Sequence, residues 1–193
     1  MGRVVVVESV SLDGVMQAPG RADEDTRGGF PHGGWGRPYA DEVMGRAMGE
    51  RMAGDGVLVF GRRTYQALYD FWPKQTDGNP YTGKLDRTRK YVASRTLSEP
   101  LPWVNSTLLA GDAVPAVAKL RESGQDVGVL GSGDLVRQLA DHDLVDEYLL
   151  LIHPLVLGSG RRLFADGGRF AALRLVDSVV TGTGVVIGTY RRA

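Results

Sequence analysis

Four short segments of the chain hold residue types capable of chemistry, and each begins where an apolar run stops. In Val127-Gly-Val-Leu-Gly131-Ser132-Gly133-Asp134-Leu135, closely spaced glycines follow a strand-like run and precede a helix-like one. Glycine lets the backbone approach a phosphate, and a helix N-terminus offers free N–H groups and a positive dipole to it. Val136 stands where the third glycine of a dinucleotide fingerprint belongs, so this segment alone reads equally as a tight turn. Gly61-Arg62-Arg63-Thr64-Tyr65 also follows an apolar run, with Thr64 placed to cap a helix. Guanidinium forks match phosphate oxygens bidentately, although an Arg pair in isolation reads first as a solvated loop. Tyr91-Val-Ala-Ser94-Arg95-Thr96 puts a hydroxyl and a guanidinium where a ribose 2′-phosphate would sit. The fourth segment, Ser9-Val-Ser-Leu-Asp13-Gly14-Val15-Met16, closes the first apolar run.

Acids for proton transfer are less sharply marked. Asp13, Asp41 and Asp70 are the candidates, each as readily a solvated or capping carboxylate; Glu42 lies beside Asp41. Trp35 and Tyr39 offer planar rings to a planar heterocycle, with loop packing the plain alternative. Three histidines and no cysteine make a metal site improbable, and thiolate catalysis and disulfides are excluded. Neither Ser132 nor Ser159 lies in a Gly-x-Ser-x-Gly elbow, which argues against hydrolase chemistry.

The elements that must carry these residues alternate in type. Strands are expected at Val4–Val10, Val57–Phe60, Tyr91–Ala93, Thr107–Leu109, Val127–Leu130, Glu147–His153, Leu173–Val180 and Val185–Tyr190. Helices are expected at Tyr39–Met52, Thr64–Tyr69, Val114–Ser123 and Asp134–His142, with Asp112 a cap and Gly124 a stop. Ser11–Pro38 is too rich in Gly and Pro to be anything but loop, and Lys74–Arg89 is polar and turn-rich. Alternation followed by a Thr-Gly-Thr-Gly hairpin implies an α/β domain over residues 1–193: a mixed, mostly parallel sheet with helices on both faces and an antiparallel end. In such a sheet the three phosphate-competent loops would converge at the carboxyl edge, where these folds bind ligands.

Charges balance at 23 of each sign, so no global field favours nucleic acid or an anionic membrane. Val4–Val7 is cut off by Glu8, too short for a signal peptide or a membrane span, and the cytoplasm is the expected location.

Taken in order, Ser-Leu-Asp-Gly, Gly-Arg-Arg-Thr, Gly-Ser-Gly and the late His153-Pro-Leu-Val-Leu-Gly-Ser-Gly160 resemble the dihydrofolate reductase-like family, specifically the RibD C-terminal type of riboflavin biosynthesis. The resemblance spans nearly the whole chain. It implies an NADPH-dependent oxidoreductase acting on a small heterocycle, either a riboflavin-pathway 5-amino-6-(5-phosphoribosylamino)uracil-like or a pterin-like compound. Dihydrofolate reductase activity, or a module that senses nucleotide without turnover, are the alternatives. By position, Gly61, Arg62, Arg63 and Thr64 match a phosphate loop, and Ser94 and Arg95 the surroundings of the 2′-phosphate. Gly131, Ser132, Gly133, Asp134 and Leu135 match the pyrophosphate loop, and Asp13, Gly14, Val15 and Met16 the mobile loop over the nicotinamide. Relatives of this type also imply a homodimer.

Overall fold

The computed structural model describes residues 1–51, 54–76, 78, 80–109, 111–164 and 166–193. Eight strands and five helices are defined among them. They are β1 (Val4–Ser11), α1 (Glu42–Arg51), β2 (Val57–Gly61), α2 (Arg62–Phe71), α3 (Pro80–Arg87), β3 (Lys90–Ala93), β4 (Ser106–Leu108), α4 (Ala113–Glu122), β5 (Val127–Leu130), α5 (Gly133–Asp141), β6 (Glu147–His153), β7 (Leu173–Val180) and β8 (Val186–Arg192). The strands form one mixed sheet in the order β4-β3-β2-β5-β1-β6-β8-β7. Read as one domain in sequence, the chain packs as two compact units, Met1–Val5 with Gly54–Val145 and Val6–Ala53 with Asp146–Ala193.

In the first unit β2 pairs in parallel with β3 and with β5, and β3 in parallel with β4. Val57, Leu58, Val59 and Phe60 are all buried, as expected of a parallel strand covered on both faces. Leu58, Phe60 and Val92 pack with Tyr65 of α2, Leu85 of α3 and Trp103. Helix α3 lies inside the stretch expected to be loop. Its apolar positions reduce to Tyr81 and Leu85, one turn apart, too few to show a periodic stripe. The fully buried Lys90 closes its C-terminal end, with Nζ donating to the carbonyls of Leu85 (2.6 Å) and Thr88 (2.8 Å).

In the second unit β6 and β8 pair antiparallel, and β8 also pairs antiparallel with β7. Leu149, Leu151, Val185 and Ile187 pack against Ala47 of α1. The helix expected from Tyr39 starts instead at Glu42, because Asp41 Oδ1 accepts the Met44 N–H at 2.8 Å and caps it. Tyr39 belongs to a separate 3₁₀ turn, Arg37–Tyr39, and Met52 lies outside the described residues. No helix among the described residues is long and apolar enough to cross a membrane.

Candidate functional site

Parallel pairing brings three of the four chemical segments of the sequence to one edge of the first unit. Gly61 is in register with Ala93, the residue before Ser94, and Val59 with Val129, two residues before Gly131. The loops after β2 and β5 are joined directly: the Gly61 N–H donates to Ser132 Oγ at 2.8 Å. A Cβ on Gly131 would lie 3.1 Å from the Thr64 methyl group, and the residue sits at φ 57°, so both space and backbone call for glycine. Ser132 takes the left-handed conformation at φ 69° and occupies the N-cap position of α5.

Two helix N-termini therefore open beside each other. Helix α2 begins at Arg62, two residues earlier than expected, and Gly61 holds its N-cap position in place of Thr64. Neither N-cap residue, Gly61 or Ser132, places a side-chain cap on its helix. Arg62 is half-buried, and Arg63 and Arg95 are exposed. Among the described residues none of the three has a carboxylate partner. Ser94 Oγ accepts the N–H of Thr96 (3.1 Å) and Leu97 (3.0 Å), which fixes the turn and leaves its O–H to donate. Leu135 is buried as a core residue of α5, whereas Asp134 is exposed and lies 3.9 Å from Arg137. Paired amide dipoles, unpaired guanidinium groups and a glycine-enforced close approach fit phosphate groups of a dinucleotide.

The fourth segment lies in the second unit and is pinned. Asp13 Oδ1 accepts the Ser11 hydroxyl (2.6 Å) and the Leu157 N–H (3.1 Å), and Oδ2 accepts the Gly158 N–H (2.9 Å). The Ser11 bond, reinforced by the two amides, lowers its pKa to about 2. Asp13 is thus an ionised anchor, a state with no proton to donate. Gly14 turns at φ 79° and its carbonyl accepts the Leu163 N–H at 3.0 Å, while the Met16 N–H donates to Arg161 at 2.8 Å. Val15 is fully buried with Ala18, Phe30 and Trp35. Where the resemblance implied a mobile loop, these bonds tie the turn to residues 155–163.

The other expected acids also have evident duties. Asp41 caps α1, and its second oxygen accepts the Thr183 N–H at 3.2 Å; these amide bonds hold its pKa below the ordinary carboxylate value. Asp70 is exposed on the final turn of α2. Trp35 is buried and spends its indole N–H on the Gln17 carbonyl at 2.7 Å, and Tyr39 is half-buried. Both rings meet the buried His153 edge-on, at 5.0 and 5.6 Å. Burial lowers the pKa of His153 from the ordinary histidine value. In sequence His153 marked the start of the late family-like segment, and no role was assigned to its ring.

Sequence reasoning passed over Glu8. It lies in β1 on the same side as Val4, Val6 and Val10 and is only 4% exposed, and its Oε2 has no hydrogen-bond partner. Burial, with the charge of Glu24 second, raises its pKa well above the usual carboxylate value. It is the one buried, unpartnered carboxyl oxygen among the described residues. The signal was present: an acid on the face of the strand that otherwise carries Val4, Val6 and Val10.

Comparison with known proteins bears on the family and the fold. The chain is 32% identical to the uncharacterized protein YyaP of Bacillus subtilis over 137 residues, 67% of this chain and 70% of that one. It is also 32% identical to the uncharacterized protein YwjB of the same organism over 130 residues, again 67% and 70% of the two chains. A solved putative riboflavin biosynthesis protein from Shewanella sp. PV-4 superposes with a TM-score of 0.70 at 22% identity, covering 99% of both chains. RibD of Acinetobacter baumannii does so with a TM-score of 0.65 at 13% identity, covering 100% of this chain and 58% of that one. The RibD C-terminal domain family matches residues 3–187, and the chain belongs to that family.

Proposed function

We propose that the protein is an NADPH-dependent reductase that transfers a hydride to a small heterocycle, of the 5-amino-6-(5-phosphoribosylamino)uracil or pterin type. What carries this reading is the Gly61–Ser132 hydrogen bond, which joins the starts of two helices, with Arg62 and Arg63 opening one of them and having no carboxylate partner among the described residues. An anion with several phosphates satisfies both features, and a 2′-phosphate accounts for the cationic character near Ser94 and Arg95. When bound, the reduced nicotinamide supplies the hydride. Arg62, Arg63 and Arg95 hold phosphate oxygens, and the backbone at Gly131–Gly133 makes the close approach. A module that senses NADPH without turnover is the second reading, favoured by the structural duties of Asp13 and Asp41. Following NADPH absorbance with dihydrofolate and with the aminouracil ribosyl phosphate separates them: a reductase oxidises NADPH with one of the two. Binding without oxidation leaves only the sensor.

The partner we infer is a second copy of the chain. The outermost strand, β7, exposes Leu175, Val176 and Val180, and Phe170 before it is 90% exposed. An unpaired strand edge with apolar side chains is a template for pairing. Sedimentation equilibrium is expected to give a dimer mass, and a monomer at all concentrations would remove this inference.

A further inference from the structure

Ser132 stands where glycine would be the easier residue. Its φ of 69° lies in the left-handed region, directly after Gly131 at φ 57°. A side chain held in that region carries a conformational cost and persists where its surroundings require it. The requirement is visible in the sheet. The Val57 N–H donates to the Asp126 carbonyl at 2.8 Å, with Val57 in register with Val127 and Val59 with Val129. The same pattern carried to the end of β2 would give the Gly61 N–H the Leu130 carbonyl. Instead Ser132 Oγ accepts the Gly61 N–H at 2.8 Å and lies 3.4 Å from the Leu130 carbonyl. The hydroxyl is inserted where the ladder stops.

The main chain of the same residue opens α5, its carbonyl accepting the N–H of Leu135 (2.8 Å) and Val136 (3.0 Å). One residue thus begins one helix with its backbone and holds the residue before the other with its side chain. Packing is close on both sides of the bond. A Cβ on Gly61 would lie 3.4 Å from Ser132 Cβ and Oγ, and one on Gly131 would lie 3.1 Å from the Thr64 methyl group. Resting on the NADPH reading above, we propose that Ser132 is a positioning residue. Its hydroxyl is spent inside the fold rather than on the nucleotide, and it fixes the start of α2 against the start of α5 so that the two grip phosphate as one element.

Arg62 and Arg63 follow Gly61 directly, so the bond that holds Gly61 also sets where both guanidinium groups start from. The hydroxyl then acts on the nucleotide through those arginines. Removing it misplaces them, and once they are absent its removal costs the nucleotide nothing more. A serine that touched the phosphates itself would contribute whether or not the arginines were present. Residues acting through one another give losses that do not add, whereas independent contacts give losses that do.

The test is calorimetric titration of NADPH against the full-length wild type, Ser132→Gly, Ser132→Ala, Arg62→Ala/Arg63→Ala and the triple variant that adds Ser132→Gly to the arginine pair. Both serine variants should lose about tenfold in affinity, the worth of one hydrogen bond. S132G trades the lost bond against relief of the left-handed strain and should melt near the wild type, whereas S132A keeps the strain and should melt lower. Equal affinity losses at unequal melting temperatures tie the effect to the hydroxyl rather than to stability. In the arginine-free background S132G should change affinity by less than about twofold. A second readout needs no nucleotide: in hydrogen exchange the Gly61 amide should open faster in S132G than in the wild type, with the Val59 amide unchanged. Wild-type affinity in S132G, or a full tenfold loss repeated without the arginines, would overturn the proposal and leave the NADPH reading standing. A wild type that does not bind NADPH would remove that reading, and an unchanged Gly61 exchange rate in S132G would remove the joining of the two loops by itself.

Discussion

The two units treat charge in opposite ways. In the first, cations at the carboxyl ends of parallel strands go without carboxylate partners among the described residues: Arg62 and Arg63 open α2, and Arg95 follows β3. In the second, Asp13 anchors residues 157–158 and Asp41 caps α1, and among the described residues a single buried carboxyl oxygen, at Glu8, is left without a partner. Groups that satisfy one another hold the fold. Groups that remain unsatisfied are where a ligand gains most, because binding supplies the missing partner at no cost in existing bonds.

The comparison predicts opposite phenotypes for charges of the two kinds, and the largest belongs to a satisfied one. Asp13→Ala removes three hydrogen bonds to a carboxylate, so it should cost about 2–4 kcal/mol in urea unfolding. Its pKa of about 2 lies below the unfolded value, so the stabilisation is present above pH 3.8 and lost as pH falls toward 2. The difference between wild type and D13A should shrink over that window. Should D13A instead unfold at the wild-type midpoint, the anchoring role is gone.

Lys90 sharpens the contrast inside the first unit, being a buried cation with carbonyl partners, where Arg62, Arg63 and Arg95 have no carboxylate partner among the described residues. Burial lowers its pKa to about 8, so between pH 8 and 10.5 the unfolded chain binds more protons than the folded one. Stability should rise across that range by about 1–3 kcal/mol and the rise should vanish in Lys90→Met, with NADPH affinity unchanged. Next in size, Gly131→Ala forces a side chain at φ 57° against Thr64, costing about 1–2 kcal/mol and weakening NADPH binding together. Smallest in stability is Val180→Lys on the exposed edge strand, expected within about 0.5 kcal/mol of wild type while shifting a dimer toward monomer in sedimentation.

How much of this was readable in the residues follows the same division. Gly61, Gly131 and Ser132 announced themselves because a turn into a helix at a strand end demands particular residue types, and the parallel pairing then brought the loops together. Leu173–Val180 and Glu147–His153 matched their expected bounds because strand periodicity is local. Helix α3 stayed hidden because its stability comes from Leu85 and from Lys90 reaching back to its carbonyls, neither visible in a local pattern. Acid roles were the least legible. Whether Asp13 donates or anchors depends on amides 144 and 145 residues away, and Glu8 is marked out by an absent partner, which no sequence displays.

The central claim is that arginines without carboxylate partners at the joined strand ends grip the phosphates of NADPH. Calorimetric titration of NADPH and NADH against the wild type and Arg62→Ala/Arg63→Ala tests it most directly. The wild type should prefer NADPH by at least about tenfold, roughly 1.4 kcal/mol, and the double variant should lose most of its NADPH affinity at an unchanged melting temperature. Equal affinity for the two nucleotides in the wild type, or a preference that survives in the double variant, would contradict it.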